Sequence, residues 1–180
     1  MRLAEQSNQG AHQIAIALLR RIISDFADVW YEVNFSHEML GHIHENDDRF
    51  EEAEREYRWV VGAYAKGRSG TSALCDLTLA ELIIRTDQSA KFDEAVRLLE
   101  QAAGNITFNS DWFRYWVAAA RLAELLGLRD DAATFAGKAL GLAQVKQPQF
   151  PRHPTLDIVR ADSGILAEMR MLTTPSRQTM

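Results

Sequence analysis

The sequence predicts an all-α fold of about eight helices, and two observations carry that expectation. All four prolines, Pro148, Pro151, Pro154 and Pro175, lie beyond residue 147, so the strongest helix breaker is missing from the first four-fifths of the chain. Apolar residues also recur at steps of three and four, and no comparable segment alternates with period two.

In chain order, helices are expected near 9–25, 29–45, 49–66, 71–86, 91–103, 111–126, 129–145 and 156–171. The first follows from Ala15, Leu18, Leu19, Ile22 and Phe26. The third follows from Phe50, Ala53, Tyr57, Val60, Val61 and Tyr64. Acidic pairs at Glu51-Glu52, Asp93-Glu94 and Asp130-Asp131 fall in first turns, where the helix dipole favours negative charge. Between helices, KGRSGTS (66–72) offers glycines for left-handed backbone and hydroxyls for a cap, and GNITFNSD (104–111) does the same with Gly104 and Ser110. Residues 148–155 form a proline-rich linker, because each proline pushes its predecessor out of helical geometry. Thr155 is the expected cap of a last helix, 156–171, and 172–180 is the expected frayed tail.

Composition narrows the function classes. The chain has 180 residues, 47% of them hydrophobic and 25% charged, the balance of a globular protein with a real core. A net charge of -5 gives no electrostatic reason to seek nucleic acid or an anionic membrane. No window has the apolar length of a signal peptide core or a bilayer span, and Cys75 stands alone, so a cytoplasmic protein is expected. Cys75 itself reads as a buried small hydrophobe. No glycine-rich phosphate loop or nucleophile elbow occurs, and no cofactor is expected. Trp30, Trp59, Trp112 and Trp116 are read mainly as core residues.

Three segments align: RFEEAEREYRWVV (49–61), KFDEAVRLLEQAA (91–103) and LRDDAATFAGKAL (128–140). Each places acidic residues just before Ala53, Ala95 or Ala132. Four residues later come Tyr57, Leu99 or Ala136, and three further on Val60, Ala102 or Ala139. Residues 34–61 add the pair Leu40-Gly41, with Gly41 twelve residues before Ala53, and Trp116 leads the third unit. This pattern resembles the tetratricopeptide repeat over roughly residues 30–145. The alanines are 42 and then 37 residues apart, against about 34 in the family, and the family's terminal proline is missing.

The resemblance implies a right-handed superhelix of antiparallel helix hairpins over residues 1–147. Its pairs lie near 29–66, 71–103 and 111–145, preceded by one helix and closed by the capping helix 156–171. Gly41 against Ala53 would let two helices approach closely. The first helix of each pair would line a concave groove, presenting Phe35, Glu38 and His42, then Leu77 and Ile84, then Arg114, Val117 and Arg121. The implied function is a non-catalytic protein-interaction module that binds a peptide, a helix or a second copy of itself, with Arg114 and Arg121 steadying the ligand. A regulatory or toxin-neutralising bacterial repeat protein is the alternative use of the same fold.

One stretch offers a rival chemistry. SHEMLGHIHEN (36–46) holds three of the five histidines, and HEMLGH resembles the zinc motif of the dipeptidyl peptidase III family. By that resemblance His37 and His42 would bind zinc and Glu38 would act on water. On an ideal helix, residues five apart point roughly 140° apart, which opposes a shared metal. The repeat reading accounts for Leu40, Gly41 and Ala53 together, so no catalysis and no metal are expected.

Overall fold

A computed structural model describes residues 2–150, 152 and 157–174, with side chains from Gly10 onward. Among these residues there are eight α-helices and no strand, so the chain is all-α. The helices are α1 (Arg2–Asp25), α2 (Trp30–Asn46), α3 (Phe50–Ala63), α4 (Cys75–Arg85), α5 (Phe92–Ala103), α6 (Asn109–Leu125), α7 (Arg129–Ala143) and α8 (Ser163–Thr173). Two short 3-10 turns, Tyr64–Lys66 and Ser89–Lys91, follow α3 and precede α5. No described helix is long and apolar enough to cross a membrane. The chain forms two compact units, residues 1–82 and 83–180, and the boundary falls inside α4, within the expected second pair.

In the first unit α1 packs on α2 and α2 on α3. The repeated positions form the interior stripe of α3, where Ala53, Tyr57 and Val60 are fully buried. At Gly41 the atoms nearest to an added Cβ all belong to Tyr57. A Cβ there would lie 2.6 Å from Cδ1 of Tyr57, one helical turn beyond Ala53. Residues 67–74 wrap back over α2 with three left-handed residues, Gly67, Gly70 and Ala73, at φ of 128°, 79° and 64°. At Gly70 a side chain would collide with the Tyr31 carbonyl, so glycine is needed for space as well as for φ.

In the second unit α6 and α7 make the most extensive pairing, α5 lies on α6, and α8 packs on α7 and α6. Phe113, Val117, Ala120, Ala136, Ala139 and Met169 form its buried centre. The repeat alanines Ala95, Ala102, Ala132, Ala136 and Ala139 are all buried. Small side chains at these steps let neighbouring helices approach.

The end of the chain differs from expectation. Thr155 and Leu156 lie outside the described residues, and the last helix starts at Ser163 rather than 156. Its cap is Asp162, which accepts from the Gly164 backbone N–H at 2.7 Å. The displacement has a cause at Asp157, which is left-handed (φ 67°) and buried. Its carboxylate accepts from the backbone N–H groups of Asn109 at 2.7 Å and Ser110 at 2.8 Å, and from the Ser110 hydroxyl at 3.0 Å. A residue 48 positions away in sequence thus satisfies the exposed donors of the first turn of α6, the role expected of Ser110 itself. Gly104, expected to be left-handed, is right-handed at φ -70°.

The capping role implied for 156–171 needs an apolar face turned to the repeats. Among the described residues, Val159, Ile165 and Leu166 are half-buried against the α6–α7 core, and Met169 is the side chain fully enclosed. Of the tryptophans, Trp30 and Trp59 are exposed and so not core residues, whereas Trp116 is half-buried against the core of the second unit, stacked between Trp112 and Phe135.

Candidate functional site

The histidine-rich stretch lies on α2, and its side chains point to separate partners. His37 Nδ1 is 2.6 Å from Glu56 Oε2 on α3, and since a carboxylate only accepts, the ring nitrogen donates. The His37 ring also stacks on Trp59 at 3.9 Å. Tyr57 donates its hydroxyl proton to Glu45 at 2.6 Å, which leaves its oxygen to accept from His42 Nδ1 at 2.9 Å. Burial, together with the Glu45 carboxylate, pushes the Tyr57 hydroxyl far above its ordinary range, so this relay stays neutral at its centre.

Glu38, the base of the peptidase resemblance, is turned elsewhere. It is buried and accepts from the Ser72 backbone N–H at 2.8 Å and from the Ser72 hydroxyl, tying the 67–74 loop to α2. Nearby, Arg68 pairs with the fully buried Asp76 at 2.7 Å, and the Tyr64 hydroxyl accepts from the Cys75 N–H at 2.9 Å. Burial raises the Cys75 thiol, with the Glu38 and Asp76 carboxylates adding to it, which keeps it protonated. Among the described residues no three His, Cys, Asp or Glu side chains converge in a metal-holding group.

His44 is different. Its ring is buried, Nδ1 has no hydrogen-bond partner among the described residues, and burial holds its pKa below the ordinary histidine value. Arg49 and Arg20 push the same way, while Glu56 and Glu52 oppose.

The eight residues expected in a groove divide sharply. Glu38, Leu77, Ile84 and Val117 are buried, so as a set they do not form an open surface. Phe35 is exposed, His42 is half-buried on Tyr57, and Arg114 lies 3.8 Å from Asp111 one turn before it. Asp111 is raised by burial, with Asp157 adding and Arg114 opposing.

Two of the eight, Ile84 and Arg121, do line one cavity of about 370 Å³ in the second unit. It lies among the last turn of α4, α6 and α8, and its other lining residues are Arg85, Glu124, Leu125, Glu168 and Leu172. Arg121 meets Glu168 through two parallel bonds, Nε to Oε1 at 2.8 Å and Nη2 to Oε2 at 2.7 Å. That fork holds α8 against α6 on one side of the cavity. Ile84, Leu125 and Leu172 supply apolar surface, and Leu125 is 46% exposed. Apolar walls with a rim of both charge signs suit an apolar side chain carried between charged or polar groups. Among the described residues, no Ser, Thr, Cys, His or Lys lines the cavity. Sequence reasoning missed Leu125 and Leu172, although Leu125 and Leu126 extend the apolar run of α6 to its end before Gly127.

No family model matches the chain, and no match to it is found among curated proteins or solved structures.

Proposed function

We propose that this chain is a non-catalytic protein-interaction module of tetratricopeptide-like design, which docks a peptide or helix of a protein partner in the cleft beside α8. The observation that carries this reading is the cavity of about 370 Å³ with Ile84, Leu125 and Leu172 inside and Arg85, Arg121, Glu124 and Glu168 around it. That volume lies within the range of ordinary ligand pockets and suits one or two anchor side chains of a peptide. The repeat reading is supported by the interior stripe in which Ala53, Tyr57 and Val60 on α3 match Ala132, Ala136 and Ala139 on α7. A lone, buried Cys75 agrees with work in a reducing compartment such as the cytoplasm.

The test is selection of binders from a random peptide library on the purified chain, repeated on Leu125→Arg. Enriched peptides that share an apolar anchor beside a charged residue, and that no longer bind the variant, are expected. Enrichment that survives Leu125→Arg would place the docking site elsewhere, and no enrichment at all would sink the interaction reading.

A further inference from the structure

We infer that the partner segment held in the cleft beside α8 carries a Lys or Arg next to its apolar anchor, and that Glu124 selects it. This deepens the docking reading and rests on it, with α8 kept in place as one wall of the cleft. The sign of the partner's charge follows from which charges of the cleft are already satisfied. Arg121 gives Nε and Nη2 to the two carboxylate oxygens of Glu168, so that pair has little of either charge left for a ligand. Arg85 and Glu124 are the other two charged lining residues, one of each sign. Arg85 has an interaction of its own. The Glu124 carboxylate is exposed and makes no hydrogen bond or ion pair among the described residues.

The backbone adds to the negative side. α4 ends at Arg85, α6 at Leu125 and α8 at Thr173, and the cleft is lined by Ile84 and Arg85, by Glu124 and Leu125, and by Leu172. Three helix C-termini therefore meet at one opening, and each carries about half a negative charge on its last carbonyls. Two of them have a basic residue in the last turn: Arg85 on α4, and Arg170 on α8, which is not among the cleft-lining residues. The last turn of α6 has no basic residue, and Glu124 lies in it, at the end of the helix that the dipole makes unfavourable for a carboxylate. A ligand cation relieves both the helix end and the carboxylate. Leu125, the next residue, is exposed, so the aliphatic stem of a Lys or Arg can lie along it while its charged end reaches Glu124.

The experiment selects a short-peptide display library, with a fixed central Leu and randomised flanks, on the full chain and on Glu124→Gln and Glu124→Lys. A lysine suits a helix C-terminus, so the second variant should keep its fold. Wild type should enrich Lys or Arg beside the anchor. By fluorescence anisotropy, an enriched peptide should lose about tenfold in affinity when that cation is changed to Glu. The preference should shrink to about threefold on Glu124→Gln, which leaves the helix ends in place, and invert on Glu124→Lys.

Acidic or uncharged flanks enriched on wild type, in peptides lost on Leu125→Arg, would leave the docking reading standing and overturn this one. An unchanged preference on variants that melt as wild type would do the same, and if Glu124→Lys melts early, Glu124→Gln decides alone. Basic peptides that bind Leu125→Arg as tightly as wild type would report only the net charge of -5 and sink both readings, as would no enrichment at all. A doubled mass of the free chain by light scattering, lost in Leu125→Arg, would give the cleft to a second copy and overturn the inference.

Discussion

Replacing Asp157 probes a contact between residues 48 positions apart in the second unit. Its carboxylate takes two backbone N–H groups and one hydroxyl at the start of α6, at 2.7–3.0 Å, from a buried position. Asp157→Ala leaves those donors without their charged acceptor. Losing a helix cap costs about 1 kcal/mol, and the lost attraction between a carboxylate and the helix N-terminus adds about 0.3–1 kcal/mol. Because residue 157 has φ of 67°, alanine there also suffers a left-handed backbone penalty of about 1 kcal/mol or more. The expected loss is about 3 kcal/mol. Glycine removes the carboxylate and relieves the backbone, so Asp157→Gly should lose about 2 kcal/mol. Asp157→Asn keeps one acceptor oxygen and tolerates the conformation, so about 1 kcal/mol is expected. Urea unfolding at neutral pH, followed by circular dichroism and fitted for more than one transition, gives the order Asn, Gly, Ala of increasing damage. Three variants within about 0.3 kcal/mol of wild type would refute the capping role, and Gly no better than Ala would refute the backbone part.

Three further outcomes are expected. Gly41→Ala gains about 1 kcal/mol of helix propensity but drives a methyl into the fully buried Tyr57 ring, so a net loss of about 1–2 kcal/mol should appear in the same unfolding assay. The pKa of His44 is lowered in the folded chain, so as pH falls below the ordinary histidine value the unfolded chain takes up the proton first and folding stability is lost. His44→Leu should flatten the stability profile as pH falls below about 6.5, whereas an unchanged profile would clear His44 of that role. Elemental analysis of untagged chain should find only substoichiometric zinc, with His42→Ala no different; one zinc per chain, lost in that variant, would revive the peptidase resemblance.

Much of the fold was legible because its signal is local. The acidic pair, the alanine and the residues four and seven positions after it identify a helix with one interior stripe. Ala53, Tyr57 and Val60, and Ala132, Ala136 and Ala139, are buried as that stripe requires. The contacts that place the candidate site are long-range. Asp157 reaches Asn109, Glu38 reaches Ser72 across 34 residues, and Glu168 reaches Arg121 across 47. None leaves a periodic trace. Proline positions gave no hint that the last helix starts late; the capture of Asp157 by α6 accounts for why α8 begins at Ser163. The groove positions at Glu38, Leu77 and Val117 were inferred from the repeat family's geometry, and in this chain burial removes them from any surface. Leu172, which the cavity needs, lies beyond the repeats altogether.

The most direct test of the cleft is a methyl-labelled NMR titration of the chain with a peptide from the library selection. Chemical-shift changes centred on Ile84, Leu125 and Leu172, with Leu40 and Leu79 unmoved, are expected of a partner held beside α8. Changes confined to Leu40, Leu79 and their neighbours, with the three cleft methyls silent, would contradict it and move the binding surface to residues 1–82.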